Sequence, residues 1–380
     1  MVLCAGCLNL KLGQEMVPDE DDWAMEGASA LRQNVSPVSI DPPLYEKWRY
    51  DAGAGVGPAG ALIVDDIVIL GNRKGMVHGI RMSDGKRMGR IKHNAPIEGG
   101  MAMGEGMLFL PMAGDKRSVV AYKLWDGKKQ WARKGLPVEA GLIYTDGKVI
   151  AVDNEANVYA LDPKSGDVLW ETLLDEQTTV VASPIVVDEQ LYVIDERGIL
   201  YAMSIDNGEI YWEQHVGAPV YNTAASDGRR LFVPTTRGRL FALDVRDGRE
   251  LWDFALADTT VRFSTPAYSP QTKQLAVSAT NGEVRMLDAA TGDVQWDTLL
   301  DGAISTPPLI TNQTIYVGTM RRMLHALDAE TGIEIWSHEV NGRVKSAVTA
   351  HGTNLIVMAE TQQVISFTPE APVTEDEETP

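Results

Sequence analysis

Residues 157–170 read NVYALDPKSGDVLW: alternating apolar and polar positions, a turn closed by glycine, then a second alternating run. Alternation at period two predicts a strand buried on one face, and two such runs about a glycine turn predict a hairpin. The pattern returns at 199–212 (ILYAMSIDNGEIYW), 239–252 (RLFALDVRDGRELW), 283–296 (EVRMLDAATGDVQW) and 323–336 (MLHALDAETGIEIW). More divergent copies stand at 118–131 (SVVAYKLWDGKKQW) and 76–89 (MVHGIRMSDGKRMG), the last with Gly89 where the others carry tryptophan. The turn glycine, Gly166 in the first copy, suits a left-handed backbone position. Asp162, Asp244, Asp288 and Asp328, four residues earlier, can accept backbone N–H bonds across the turn. The tryptophan is a large apolar plate placed once per repeat, where it can seal one repeat onto the next.

The tryptophan phase counts the repeats. Trp48, the Gly89 position, Trp131, Trp170, Trp212, Trp252, Trp296 and Trp336 are separated by 41, 42, 39, 42, 40, 44 and 40 residues. Each interval holds two further strand patterns, such as 180–187 and 190–194, so each period carries the four strands of a propeller blade. Three strand patterns follow Trp336, at 343–350, 355–359 and 363–368, while 44–50 (LYEKWRY) is a lone strand ahead of the first full repeat. Joining that strand to the last three predicts an all-β, eight-bladed propeller of four-stranded blades over 44–367, closed with no sheet edge left exposed.

Charge adds the ends and removes one class of partner. The chain has 53 acids against 34 Lys and Arg, a net −19, which opposes binding nucleic acid through its phosphates. Residues 1–43 read as a flexible acidic tether behind the remnant of a signal, and 368–380 as a disordered acidic tail. No run of 18 apolar residues exists to cross a membrane as a helix.

The core Ala160-x-Asp162-x-x-x-Gly166-x-x-x-Trp170 resembles the tryptophan-docking motif of the pyrroloquinoline-quinone-like β-propeller repeat family, over essentially all of 44–367. The resemblance implies the fold and leaves two functional branches. Dehydrogenases of the family hold a quinone and calcium on the propeller axis, usually beneath a disulfide of adjacent cysteines, and are lengthened by insertions between blades. A bare branch includes a lipoprotein of the outer-membrane β-barrel assembly machinery. This chain has no adjacent cysteines, and its periods leave no room for insertions. The resemblance therefore implies a monomeric, non-enzymatic envelope scaffold at the periplasmic face of a bacterial outer membrane, with neither cofactor nor metal. Its implied partners are envelope proteins, the barrel-assembly complex among them. A compact quinone-dependent dehydrogenase or small-ligand propeller, and an extracytoplasmic sensor module, stand as alternatives.

Candidate chemistry is sparse. The six histidines fall singly, with no metal-ligand spacing, and no nucleophile elbow or phosphate loop is present. Turns between the second and third strands of the blades carry Arg73, Lys74, Arg197, Arg237, Arg239, Arg321 and Arg322, which predicts a basic, partner-docking face on an acidic protein. Cys4-Ala5-Gly6-Cys7 holds the only cysteines. Zinc would need two further ligands, and no histidine follows Cys7 to make a haem-attachment motif. The stretch resembles a lipoprotein box cut before Cys7, with the true start upstream of Met1. Cys7 is then the lipidated residue, and about 36 residues tether it to the ring.

Overall fold

The computed structural model describes residues 10–13, 16–19, 21–113, 119–360 and 362–371. Its strands form eight four-stranded antiparallel sheets. Blades 1 to 7 span residues 62–92, 102–133, 143–173, 185–215, 225–255, 267–299 and 309–339. Blade 8 takes Thr349–His351, Asn354–Ala359 and Gln363–Thr368 from the end of the chain and Tyr45–Asp51 from its start. The closing pair runs antiparallel from Tyr45 opposite Thr368 to Asp51 opposite Gln363. The ring is an eight-bladed β-propeller.

Burial grades outward along each blade. In blade 4, Ile185–Val187 is wholly buried, Ile199–Ser204 nearly so, and the outermost Ile210–His215 mostly exposed. Strands with neighbours on both faces read as continuous apolar runs, and alternation survives only toward the rim. Every outermost strand has a partner on one side alone. Ring closure therefore completes blade 8 but leaves eight sheet edges facing outward, which corrects the expectation of a ring without exposed edges.

The repeat motif builds the joints. In blade 3 the Gly166 N–H reaches the Asp162 carbonyl at 2.8 Å, and Asp162 Oδ1 accepts from the N–H groups of Lys164 and Ser165. Gly166 has φ +74°, and a Cβ there would lie 2.5 Å from the Trp131 ring of the preceding blade. The glycine is thus required twice, by its backbone and by the plate lying on it. Trp131 Nε1 donates to Pro163 O, and Trp48, Trp170, Trp252 and Trp296 make the equivalent bond to Met82, Ile205, Ala289 and Ala329. Trp212 covers Gly248 in the same way, while Trp336, facing the blade made from both chain ends, packs edge-on to Phe367.

The leading segment departs from the sequence expectation. Far from being a free tether, its described residues are packed into the ring, with Leu10, Met16, Trp23, Arg32 and Ile40 all at most 1 % exposed. Residues 23–36 cross the axis and exchange backbone bonds with innermost strands of several blades: Trp23 with Ile63, Ala24 with Met103, Ala30 with Val186, Leu31 with Ser226, Gln33 with Tyr268 and Asn34 with Ile310. Acidic composition suggested solvation. The apolar residues between the acids instead bury against the ring, Leu10 and Met16 in one cluster and Trp23 and Ile40 in another.

Gly89 also has its explanation here. Gly79 and Gly89 face each other in blade 1, where the other blades pair alanine, or methionine in blade 6 and serine in blade 8, with tryptophan. Leu10 fills the vacated space, its side chain against Gly79, while Leu12 and Gly13 bond to the carbonyls of Leu124 and Trp125 in blade 2. The plate missing at Gly89 is replaced by Leu10, 79 residues upstream.

Candidate docking faces and the axial funnel

Strands alternate in direction, so turns between second and third strands share one face of the ring with the blade-to-blade connections. The remaining turns lie on the opposite face, where the described residues between 10 and 22 run. Asp22 there faces His351 Nδ1 at 3.5 Å, and Asp66 faces its Nε2 at 3.7 Å, both contacts lying at first-to-second-strand turns of blades 8 and 1. Burial raises the Asp22 carboxyl above its ordinary value.

The first face carries the basic turns, spread over blades 1, 4, 5 and 7. Four of the seven residues are ion-paired: Arg73 with Glu98, Arg197 with Asp175 and Asp195, Arg239 with Asp253 and Arg321 with Asp301. Lys74 Nζ donates to the Gly53 carbonyl. Arg237 and Arg322 are exposed, with no ion pair among the described residues. Cys4 and Cys7 lie outside the described residues.

On the axis this face opens into a funnel with a cavity of about 120 Å³, walled by residues such as Glu98, Glu139, Tyr221 and Ser305 and floored by Glu26, Gly27, Arg32 and Asn34 of the crossing segment. Arg32 is fully buried and donates to the carbonyls of Glu26, Leu142 and Pro184 at 2.6, 3.2 and 3.2 Å. Burial pushes its guanidinium below the ordinary value, and the neighbouring Glu26 charge opposes that shift. Glu26 in turn accepts from Ser183 Oγ at 2.5 Å. These groups satisfy one another rather than aiming at a ligand.

The family that holds its quinone on this axis sets a test of fit. Cofactor pockets begin at roughly 300 Å³, more than twice the volume left here. The chain's own backbone and Arg32 occupy the floor, and no group of three metal-ligand side chains exists among the described residues. The residues present do not fit a quinone with its calcium.

A family model described as outer membrane protein assembly factor BamB matches residues 115–270 and 280–371. The chain belongs to the BamB family. Among curated proteins, the outer membrane protein assembly factor BamB of Moranella endobia (strain PCIT) is 27% identical over 140 residues, 33% of this chain and 36% of that protein. That match spans about a third of the relative's length. BamB of Moraxella catarrhalis superposes with a TM-score of 0.72 at 19% identity, over 86% of this chain and 99% of that one. Quinohemoprotein alcohol dehydrogenase from Comamonas testosteroni superposes at 0.76 with 14% identity, over 93% and 82%. At such identities both show the shared propeller alone. BamB-family membership rests on the sequence match.

One charged region escaped the reading of the turns. Every Lys and Arg on the outermost strands of blades 1 to 7 falls on Arg87–Lys92 and Lys128–Arg133, and every Asp and Glu falls on the outermost strands of blades 3 to 7. The signal was present as a local excess of bases, eleven against four acids between residues 86 and 134.

Proposed function

We propose that this chain is a non-enzymatic scaffold for the assembly of outer-membrane β-barrel proteins, anchored by lipid on Cys7 at the periplasmic face of the outer membrane. Its partners are then envelope proteins, the barrel-assembly complex first among them. Family membership supports the assembly role. The observation that carries the non-enzymatic reading is the crossing segment: Arg32 and its three carbonyl partners fill the axis on which the family's dehydrogenases hold their quinone.

The docking face in this reading is the one bearing Arg73, Lys74, Arg197, Arg237, Arg239, Arg321 and Arg322. Arg237 and Arg322, unpaired and exposed, are its available contacts, because an arginine already held by a carboxylate offers a partner little new charge. The packed leading segment shortens the anchor. Only residues 8 and 9 separate Cys7 from buried Leu10, a span of about 10 Å at full extension, so the lipid holds the ring close to the membrane.

The test is recovery of the barrel-assembly complex with the full-length chain from native membranes, together with the intact mass of the mature chain. A diacylglyceryl-modified Cys7 and a recovery cut at least fivefold by Arg237→Glu/Arg322→Glu, at unchanged melting temperature, support the proposal. Uptake of pyrroloquinoline quinone with calcium, read by its absorbance, would sink it in favour of the dehydrogenase.

A further inference from the structure

The joint between blades 1 and 2 is the one that lacks its tryptophan. Leu10 fills the part beside Gly79 and Gly89. Farther along the same strands, toward the face bearing the basic turns, the joint opens into a cleft of about 850 Å³. His93, Tyr122 and Ala132 line it, and the exposed Lys92, Lys129 and Lys134 rim it. The His93 and Tyr122 rings meet edge to face at 5.5 Å. Outside the cleft the basic wall continues along Arg87, Arg90, Lys128 and Arg133, and at its far end Trp125 stands 48% exposed.

We propose that this cleft docks an acidic segment of a partner protein, laid along the outer wall of blades 1 and 2. Three features choose that occupant. The charge is opposite in sign to that of the outermost strands of blades 3 to 7, so an acidic chain is drawn to these two blades and repelled by those five. The outermost strands of both blades have an unpaired edge, which offers backbone bonds to an extended chain. Glu98 and Glu139 also line the cleft, which suits a segment of mixed side chains and opposes a uniform phosphate array. A concave cleft likewise fits a chain better than a flat lipid surface. This surface is separate from the proposed docking face, and nothing in it depends on lipidation or on the assembly role.

The test uses the full chain and a fluorescein-labelled twelve-residue peptide of alternating Glu and Val, followed by fluorescence anisotropy at several salt concentrations. Its Gln-Val counterpart and phosphatidylglycerol vesicles are the competing probes. The acidic peptide should bind and weaken steeply with salt. Lys92→Glu/Lys129→Glu/Lys134→Glu should weaken it about tenfold or more, and Arg229→Glu/Lys273→Glu, on blades 5 and 6, should leave it within about twofold. Ala132→Trp fills the cleft at constant charge and should weaken binding by a similar factor. Each variant's melting curve confirms that it is folded. Equal binding of the Gln-Val peptide, indifference to Ala132→Trp, or vesicle binding without peptide binding would each overturn the proposal.

Discussion

Leu10→Ala separates a docked leading segment from a free one. Leu10 is fully buried, lies against Gly79, and belongs to the apolar cluster of Val77, Ile91, Tyr122 and Leu124. Truncating a leucine at such a site costs about 3 kcal/mol, within the ~2–5 kcal/mol seen for buried leucines, because backbone on both sides of the joint limits collapse into the void. If the segment opens as a unit, the loss is capped by its own docking free energy and shows as local unfolding. Two readouts cover both cases: the urea midpoint from tryptophan fluorescence, and limited proteolysis within residues 10–22. A lower midpoint, or cleavage accelerated more than tenfold, is expected. Leu173→Ala, at an exposed outer-strand position, serves as control and should stay within about 0.5 kcal/mol. Gly79→Ala should reproduce the effect, since its methyl overlaps Leu10. If Leu10→Ala matches the control by both measures, Leu10 does not stand in for the missing tryptophan.

Gly166→Ala should destabilise by at least 2 kcal/mol more than Gly147→Ala: both glycines have positive φ, +74° and +65°, but only the first would drive a methyl into a tryptophan, and equal losses in urea would show that strain alone governs the turn. Arg32→Met leaves three buried carbonyls and Glu26 without their partner and should cost about 3–5 kcal/mol by calorimetry, whereas an unchanged melting temperature would mean that the axis closes without it. Burial, aided by Arg87 and Arg90, pushes His78 down to about 4. Its unfolded form takes up a proton near pH 6.5 while the folded form resists, so stability falls as pH drops from about 6.5 to 4, by up to about 3 kcal/mol. His78→Gln should flatten that slope in a urea titration against pH, and a slope unchanged in the variant would assign it elsewhere.

The blades were legible because a propeller repeats one local solution. Gly166 and Trp131 meet in every interior copy but one, so the phase of two residue types fixed blade number and closure. The crossing segment was not legible for the opposite reason. Leu10, Met16, Trp23 and Ile40 have no common period, since they answer to contacts spread around the ring rather than to one strand or helix face, and the acids between them suggested solvent. The basic turns were visible as sequence, but their partners were not: Glu98, Asp175, Asp253 and Asp301 lie 14 to 25 residues away and meet them only through the blade-to-blade connections and outermost strands. The basic outer wall needed the opposite correction. Its residues are interspersed with apolar ones along Arg87–Lys92 and clustered at the ends of Lys128–Arg133, and they form one surface only when the two blades stand side by side.

The crossing segment also orders events in time. Residues 23–36 are made before any blade, yet they bond to Ile63, Met103, Val186, Ser226, Tyr268 and Ile310, the last of these synthesised some 270 residues later. These residues can therefore complete their contacts only after blades 1 to 7 surround the axis. Contacts of such sequence separation form late. Until then Ile40, whose carbonyl accepts from Tyr316 of blade 7, has no burial site, and the nascent chain keeps apolar surface exposed. Docking of this segment is thus a completion signal: once it is seated, the ring has formed around it.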